Sequence, residues 1–321
     1  MKNYAFGIDI GGTNSVMAVV SREGEILGQC SMPTASFAEF DDYINALCEH
    51  LKRLAADTCG IENILGVGVG APNGNFYTGR IDFAPNLPWK GVLPFVEKLQ
   101  EAIGLPCVIT NDANAAAMGE HAYGVAKDMD HFIMITLGTG VGSGIFIDGK
   151  IVYGHDGFAG ELGHTIMDFS EDARLCGCGR RGCLETYASA TGVARTARQF
   201  LAERTDDSLL RKLDPEKITS KDVYDAAVQG DALAIDIYNF TGDILGKALG
   251  NFIAFSAPEA IVLFGGMAQA GEILMKPLRE SMDKHTLPLW RGKVKLLVSS
   301  LKSSNAALLG ASALVWPLEE Q

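Results

Sequence analysis

The sequence predicts a duplicated α/β fold, because one pattern of elements occurs twice along the chain. Residues 4–20 follow the order strand, Gly-Gly turn, strand, and residues 131–147 repeat that order around a second glycine-rich turn. A later strand, Ala260–Phe264, ends at a third glycine pair, and helical patterns lie between these segments. Strand–turn–strand units that alternate with helices favour two α/β lobes with a cleft between them.

The first cycle starts in a strand pattern at the N-terminus, so we expect no signal or transit segment. Its predicted elements are, in order, the strands Tyr4–Ile10, Ser15–Val20 and Ile26–Ser31, the helix Phe37–Ala56, the strands Ile64–Gly70 and Cys107–Thr110, and the alanine-rich helix Asn111–Tyr123. Glycines alternate within the strand Ile64–Gly70. This pattern predicts a strand whose backbone packs closely against a neighbour.

The second cycle repeats these features and ends in a helix. Its predicted elements are the strand His131–Leu137, the turn Gly138–Gly144, the strand Ile145–Ile147 with Asp148-Gly149 as its hairpin turn, the helix Ala232–Phe255, the strands Ala260–Phe264 and Val294–Ser299, and the helix Ser303–Leu314. We expect residues 1–118 to form a smaller N-terminal lobe, joined by the C-terminal helix 303–321. Residues 119–302 would form the larger lobe.

Composition narrows the class of protein. A chain of 321 residues is long enough for two cores, and its net charge of −12 argues against nucleic-acid binding, which needs clustered Lys and Arg. No apolar run reaches the roughly 18 residues of a membrane span. Three of the seven cysteines lie within eight residues, a pattern that indicates a metal site in a reduced compartment rather than a disulfide framework. We therefore expect a cytoplasmic protein.

The first glycine turn, Asp9-Ile-Gly-Gly-Thr13, has the features of a phosphate-binding turn. Gly11 and Gly12 permit backbone angles that a side chain would forbid, and the Thr13 hydroxyl can bind a phosphate oxygen. Asp9 can orient a water on Mg²⁺, which proteins usually hold with one or two carboxylates and substrate phosphates. A tight hairpin with a capping threonine is the alternative interpretation.

The second turn, Gly138-Thr-Gly-Val-Gly-Ser-Gly144, has four glycines in seven residues, more than a simple turn needs. A dinucleotide-binding G-x-G-x-x-G would have to open a helix. Here the glycines continue into Ile145–Ile147, which is a strand pattern, so that alternative fails on context.

Asp112 follows a strand and begins a helix, so it could simply be the helix N-cap. A phosphoryl acceptor hydroxyl, however, needs a nearby carboxylate to take its proton. The polar segment Thr110–Asn114 exceeds what a cap requires, and we favour Asp112 as a general base.

His164, Cys176, Cys178 and Cys183 form a Cys₃His set that suits structural Zn²⁺. The alternative is a glycine loop of reduced cysteines whose thiol pKa values Arg180 and Arg181 would lower. Glu161 precedes His164 by three residues, and Glu185 follows Cys183 by two. Zinc would then direct two carboxylates and an imidazole edge toward one spot, an arrangement that suits sugar hydroxyls.

These motifs resemble those of the ROK family (repressor, open reading frame, kinase), sugar kinases of the actin-like ATPase superfamily. The resemblance covers essentially the whole chain. It is carried by Asp9–Thr13, Asn86-Leu-Pro-Trp89, Asn111-Asp112, Gly138–Gly144, Glu161-Leu-Gly-His164 and the cysteine knuckle 176–185. It implies a two-lobed actin-like ATPase (ribonuclease H-like) fold and, within the family, a glucokinase of carbohydrate metabolism and glycolysis.

The resemblance also implies a role for each matching residue. Asp112 would take the proton of the sugar 6-hydroxyl. Sugar contacts would come from Asn86, Asn111, Asp112, Glu161, His164 and Glu185. ATP with Mg²⁺ would bind at Asp9, Gly11, Gly12, Thr13, Asn14, Gly138, Thr139, Gly140 and Gly142, with Gly265 and Gly266 beside the adenosine. Zinc would be bound by His164, Cys176, Cys178 and Cys183, and a homodimer is expected.

One departure bears on the substrate. Many family members carry a glycine between the proline and the tryptophan of the Asn86 motif, whereas here Pro88 precedes Trp89 directly. Kinases for fructose, mannose, allose, N-acetylglucosamine or N-acetylmannosamine are therefore alternatives to glucose. A non-catalytic sugar sensor is the alternative from another class, although it would need neither a base nor phosphate turns.

Overall fold

The computed structural model describes residues 2–301 and 303–320. Met1, Lys302 and Gln321, which end the predicted lobes, lie outside the described residues. The strands are β1 (Tyr4–Ile10), β2 (Asn14–Ser21), β3 (Ile26–Pro33), β4 (Ile64–Gly70), β5 (Gly74–Asn75), β6 (Arg80–Asp82), β7 (Val92–Leu93), β8 (Cys107–Thr110), β9 (Phe132–Leu137), β10 (Val141–Ile147), β11 (Lys150–Ile151), β12 (Ala260–Phe264) and β13 (Lys295–Val298). The α-helices are α1 (Phe40–Ala56), α2 (Phe95–Ile103), α3 (Asp112–Tyr123), α4 (Glu185–Ala188), α5 (Ala190–Glu203), α6 (Ser220–Val228), α7 (Ala232–Ser256), α8 (Glu272–His285) and α9 (Ser303–Ala313).

Two five-stranded sheets share one order. The first is β3-β2-β1-β4-β8 and the second β11-β10-β9-β12-β13, while β5-β6-β7 form a small third sheet. In the first, β2 is antiparallel to β1 and to β3, and β4 is parallel to β1 and to β8. In the second, β12 is parallel to β9 and to β13. Each cycle thus places its first strand in the middle of a sheet, and the predicted duplication is confirmed.

Most predicted elements appear within two residues of the expected bounds, and two differ by more. The first helix begins at Phe40 rather than Phe37, because the buried Thr34 hydroxyl lies 2.8 Å from that of Ser15 and holds a 3₁₀ turn, Thr34–Ser36, against β2. The strand predicted from Ile145 already begins at Val141, so the second glycine turn is shorter than expected. Gly144 lies inside this strand, where a Cβ would lie only 2.5 Å from that of Ala117.

The internal contacts divide the chain into two units, which are described separately below. The first contains residues 1–129, 144–159 and 300–321, and the second contains residues 130–143 and 160–299. The lobe bounds predicted from the sequence stay a prediction. None of the helices in the described parts of the chain is long and apolar enough to cross a membrane.

The core of the first unit depends on close packing between the sheet and α9. This helix packs against β1, β4 and α3. A Cβ on Gly7 would collide with the backbone oxygen of Leu308, and one on Gly68 with that of Ala311. The glycine alternation in β4 therefore marks a close backbone approach, as predicted.

The second unit is built around α7, a helix of 25 residues that packs against α8. Gly242, Gly246 and Gly250 lie four residues apart and so share one face of α7. A Cβ at these positions would lie 2.6 to 3.1 Å from backbone atoms of α8. The missing side chains let the two helix backbones approach closely.

Candidate active site

Two predicted carboxylates lie at one edge of the first sheet. The parallel register of β1, β4 and β8 places Asp9 beside Gly70, and Gly70 beside Thr110. Asp112 lies two residues beyond Thr110, and a Cβ added to Gly70 would lie 3.8 Å from its Cα. The register therefore brings Asp9 and Asp112 together at the carboxyl ends of parallel strands, where α/β sheets commonly bind ligands.

Asn111, and not Asp112, is the N-cap of α3. The Asn111 side chain accepts a hydrogen bond of 2.7 Å from the backbone N–H of Asn114. Asp112 is the first residue of the helix, and its Oδ1 accepts a 2.9 Å bond from the N–H of Ala113. The interpretation of Asp112 as a cap is thus wrong. Its carboxylate does not hold the N-cap position, although its Oδ1 is bound by the first-turn N–H of Ala113.

The two carboxyls have raised pKa values. Burial, followed by the negative charge of Asp112, raises the pKa of Asp9 from 3.8 to about 6. Asp112 keeps solvent-accessible surface, yet the protein around its carboxyl desolvates it and raises its pKa, against the lowering effect of backbone hydrogen bonds. Desolvated like charges bind protons and cations more strongly than isolated surface carboxylates do. Such groups are typical of functional sites.

The turn after β1 presents polar groups to solvent. The N–H of Gly11 donates a 3.0 Å bond to the carbonyl of Asn14, and the side chains of Thr13 and Asn14 are exposed. A Cβ on Gly12 would collide with the carbonyl oxygen of Asn86. Gly12 is thus required by packing against Asn86; the expected left-handed backbone angles are not seen, because neither Gly11 nor Gly12 has a positive φ.

Asn86 is exposed while its neighbours anchor the loop. Leu87 and Trp89 are buried, and the Trp89 indole N–H donates a 3.2 Å bond to the carbonyl of Phe37. The Trp89 ring also lies 4.6 Å from that of Tyr43. This alternation leaves the Asn86 amide available to a ligand beside the Asp9–Asn14 turn.

In the second unit, the second glycine turn is held by the start of α5. Ala190 N–H donates a 2.8 Å bond to the carbonyl of Gly138, and the Thr191 hydroxyl donates a 2.6 Å bond to that of Thr139. The Gly142 N–H donates to the Thr136 hydroxyl at 3.1 Å. The turn itself is therefore rigidly supported from one side.

This turn borders a cavity of about 460 Å³. Gly138, Thr139 and Gly266 line it together, and Gly265 has a φ of +102° and packs against the carbonyl of Leu137. The structure thus brings together the two glycine motifs predicted to bind one nucleotide. The remaining lining includes residues that sequence reasoning missed: Ser220, Lys221, Tyr224, Tyr238, Met267 and Gln269. No local motif marks them, since three separate segments contribute.

The cysteine knuckle brings all four predicted metal ligands together. One donor atom from each of His164, Cys176, Cys178 and Cys183 lies within 4.8 Å of the others. The His164 Nδ1 is 3.7 Å from the Cys176 Sγ, and the Sγ atoms of Cys178 and Cys183 are 3.6 Å apart. Three thiolates and one imidazole fit a closed tetrahedral zinc site.

The thiols of the knuckle differ in pKa. Burial acts to raise the pKa of Cys178, but hydrogen bonds from the backbone and side chain of Arg180, with those from Cys176 and Cys183, together outweigh it and lower the value to about 6. Burial dominates for Cys176 and Cys183 and raises their pKa. A positively charged neighbour thus favours the thiolate that a metal ion needs at one ligand, as expected from Arg180.

Two carboxylates flank the knuckle. The His164 Nε2 lies 3.9 Å from the Glu161 carboxylate, so Nδ1 faces the thiols while Nε2 faces outward. The Glu185 carboxylate lies between the knuckle and the glycine turn: Oε1 is 3.1 Å from the Cys176 Sγ, and Oε2 accepts a 3.4 Å bond from the Val141 N–H. Sequence reasoning placed Glu185 beside the metal but missed its contact with the turn.

Comparison with known proteins gives a consistent result. The chain matches the profile of the ROK family over residues 5–317. It is 36% identical to a glucokinase of Halalkalibacterium halodurans over 312 residues, which cover 96% of this chain and 94% of that one. A xylose repressor of Bacillus spizizenii is 29% identical over 317 residues, covering 97% and 77%. The crystal structure of a ROK family glucokinase from Streptomyces griseus in complex with glucose and AMPPNP is similar, with a TM-score of 0.79 and 33% identity over 97% of this chain and 98% of that one.

The duplicated sheets and the site define a sugar kinase with the actin-like ATPase fold. Within that class, the chain belongs to the ROK family.

Proposed function

We propose that this protein is an ATP-dependent hexose kinase that phosphorylates glucose at its 6-hydroxyl, with Asp112 as the general base. The observation that carries the proposal is the position of Asp112 at the strand edge beside Asp9, outside the N-cap position and with a raised pKa. Phosphoryl transfer is catalysed mainly by positioning and electrostatics, and the protein must still remove the acceptor proton. A desolvated carboxylate suits that task.

At the acceptor, the ionised Asp112 carboxylate would accept the hydroxyl proton as the oxygen attacks the γ-phosphorus. Asn111 uses its side-chain oxygen to cap α3, which leaves its amide N–H groups to donate to a sugar hydroxyl. Asn86 is exposed against the Gly12 turn and would add a second amide contact. These side chains orient the sugar and raise the fraction of productive collisions.

At the donor, the Asp9–Asn14 turn would bind phosphate oxygens. Asp9 fits a role at a bound magnesium ion, since its carboxyl is desolvated beside a second carboxyl and gains from a nearby cation. When bound, magnesium would neutralise charge on the phosphates. In the second unit, Gly138, Thr139, Gly140 and Gly142 would also bind phosphates, and the cavity at Gly266 has the size and mixed lining for adenosine.

The knuckle of the second unit would also bind sugar hydroxyls. Zinc on the Cys₃His set would fix the His164 ring and the chain leading to Glu185, and Glu161, His164 and Glu185 would accept or donate hydrogen bonds to sugar hydroxyls. Pairs of carboxylates beside a fixed imidazole suit vicinal hydroxyls. Both carboxylates and the imidazole lie within residues 161–185.

The test is ADP release by zinc-replete protein with Mg-ATP and a panel of glucose, mannose, fructose, allose, N-acetylglucosamine and N-acetylmannosamine. We expect glucose to give the highest kcat/KM and glucose 6-phosphate as product, identified by mass and NMR. Turnover with another sugar would keep the reaction and change the substrate. No turnover with any sugar would refute the kinase proposal.

A non-catalytic sugar sensor is the second candidate, and the similarity to a xylose repressor favours it. A sensor would bind sugar in the same panel, measured by calorimetry, without sugar-dependent ADP release. The homodimer and the cytoplasmic location stay predictions, the former open to light scattering.

A further inference from the structure

Arg174 lies two residues before Cys176, and its side chain makes one ring contact and four hydrogen bonds. Its guanidinium lies 4.6 Å from the centroid of the Tyr187 ring. One terminal nitrogen donates to the carbonyl of Thr186 at 2.9 Å and to that of Gly192 at 3.3 Å. The other donates to Thr196 Oγ1 at 3.0 Å and to Gln199 Oε1 at 2.9 Å.

These contacts are not those of a surface ion pair. Other arginines of the described chain, such as Arg204 and Arg279, bind carboxylates directly, whereas no carboxylate lies within ion-pair distance of Arg174 among the described residues. A half-buried cation is costly unless hydrogen bonds replace its water. Here two backbone carbonyls and two side-chain oxygens replace the water around the guanidinium. The Arg174 side chain therefore holds the backbone at Thr186 and Gly192.

The backbone of Arg174 is hydrogen-bonded to the knuckle. Its carbonyl accepts a 2.9 Å bond from the Gly182 N–H. Its N–H donates to the Tyr187 hydroxyl at 3.2 Å, and that hydroxyl donates to Asp168 Oδ2 at 2.7 Å. One residue therefore connects the metal-binding loop, through its backbone, with the segment that follows it, through its side chain.

The segment that follows carries Glu185. Helix α4 is a single turn, Glu185–Ala188, too short to be stable alone. The metal ligand Cys183 fixes only the residue two positions before Glu185. Arg174 binds Thr186 and stacks on Tyr187, the next two residues.

We propose that Arg174 is the positioning residue for Glu185 and thereby for sugar binding. This inference rests on the proposed function, in which Glu185 contacts the sugar. A bound metal ion would fix one end of the turn through Cys183, and the Arg174 guanidinium fixes the other at Thr186 and Tyr187. The glycine turn has its own bonds to Ala190 and Thr191, and Arg174 binds the same helix only beyond them, at Gly192 and Thr196. We therefore expect nucleotide binding to depend on Arg174 less than sugar binding does.

The test is Arg174→Met, which keeps the apolar stem on Tyr187 but removes every donor. We expect the KM for the sugar to rise about 10-fold, with the KM for ATP within about twofold and one zinc per chain retained. Arg174→Lys keeps the charge and cannot form the forked bonds, so it should give most of the same rise. Guanidinium added to Arg174→Ala should partly restore the sugar KM.

Arg195→Met is the matched control. Arg195 donates a 2.9 Å bond to the carbonyl of Leu175, beside Arg174, and makes no bond to the Glu185 turn. It should leave both KM values unchanged. An unchanged sugar KM in an active Arg174→Met or Arg174→Lys enzyme overturns the inference alone, as does a rise of both KM values together with zinc loss. Absence of sugar-dependent turnover in the wild-type protein overturns the proposed function, and the inference with it.

Discussion

The strand-end site (Asp9, Asn111 and Asp112) and the knuckle site (Glu161, His164, Glu185 and the three ligand cysteines) place carboxylates by opposite means. The strand-end site is fixed by backbone register, since β1 and β8 flank β4 in one parallel sheet. Its carboxyls carry raised pKa values because they are desolvated together. In the knuckle site, hydrogen bonds and the candidate metal ligands hold short loops that pack against Val141 at the start of β10.

The two sites should therefore respond differently to substitution. A register built from backbone bonds survives a change of side chain, so substitutions at the strand-end site should alter chemistry and leave the fold intact. Loops held by thiols and one guanidinium depend on those groups, so substitutions at the knuckle site should alter geometry and binding first. The predictions below separate these two kinds of effect.

The largest expected effect is that of Asp112→Asn. The amide keeps the shape of the side chain but cannot take the acceptor proton, so kcat should fall about 10³-fold while the sugar Kd changes little. Single-turnover rates and calorimetric titration with sugar measure the two quantities. The control is Asp57→Asn, at the exposed end of α1. Near-normal kcat in Asp112→Asn would remove Asp112 as the base.

Removal of the metal should have the next largest effect and should act on binding. Cys183→Ser, or treatment with a chelator, is expected to lower kcat/KM for the sugar about 10- to 100-fold, because the chain to Glu185 loses its anchor. Cys59→Ser changes a half-buried cysteine outside the knuckle and should retain full zinc content by mass spectrometry. Full sugar affinity in zinc-free protein would contradict a structural role for the metal.

The raised pKa of Asp9 predicts a cost in stability. Its pKa is 3.8 in the unfolded chain and about 6 in the folded one, so the folded protein holds the proton more tightly. Stability contributed by this group is present below pH 4 and is lost as pH rises through 6. Asp9→Asn should therefore raise the free energy of unfolding at pH 7 by about 3 kcal/mol.

Urea denaturation of wild type and Asp9→Asn between pH 4 and pH 7.5 measures this difference. The gain should shrink to about 0.5 kcal/mol at pH 4, where the Asp9 carboxyl is protonated in the folded state but only partly protonated in the unfolded one. A difference that stays constant over this pH range would point to packing instead of ionisation.

The strand-end site could be predicted largely from the sequence. Buried apolar runs bounded by glycine or polar residues set the limits of β1, β4 and β8 correctly. Parallel strands bring their carboxyl ends to one edge, so the meeting of Asp9 and Asp112 follows from local pattern. Ligand spacing likewise marked the four donors of the knuckle before their positions were known.

Contacts between elements that are far apart in the chain could not be predicted from the sequence. The bond from Val141 to Glu185, the four contacts of Arg174 and the place of Tyr224 at the cavity all join different elements. No spacing rule encodes such contacts. The capping role of Asn111 was missed for a simpler reason: two adjacent polar residues can each cap a helix, and only the backbone angles decide.

Thr191→Val should have the smallest effect. It should change the KM for ATP, whereas Arg174→Met should change the KM for the sugar. The Thr191 hydroxyl donates to the carbonyl of Thr139 in the glycine turn. It also lies 2.9 Å from the Ser189 hydroxyl, which donates to the backbone carbonyl of Glu185 and not to its carboxylate. Loss of one such bond should raise the KM for ATP about threefold and leave the KM for the sugar unchanged. Thr58→Val, which removes a 2.6 Å bond to the carbonyl of Leu54 at the end of α1, is the control and should change neither. If Thr191→Val and Arg174→Met shift the same KM, then the hydrogen bonds that hold the glycine turn and those that hold Glu185 act as one unit, and the two binding functions are not separate.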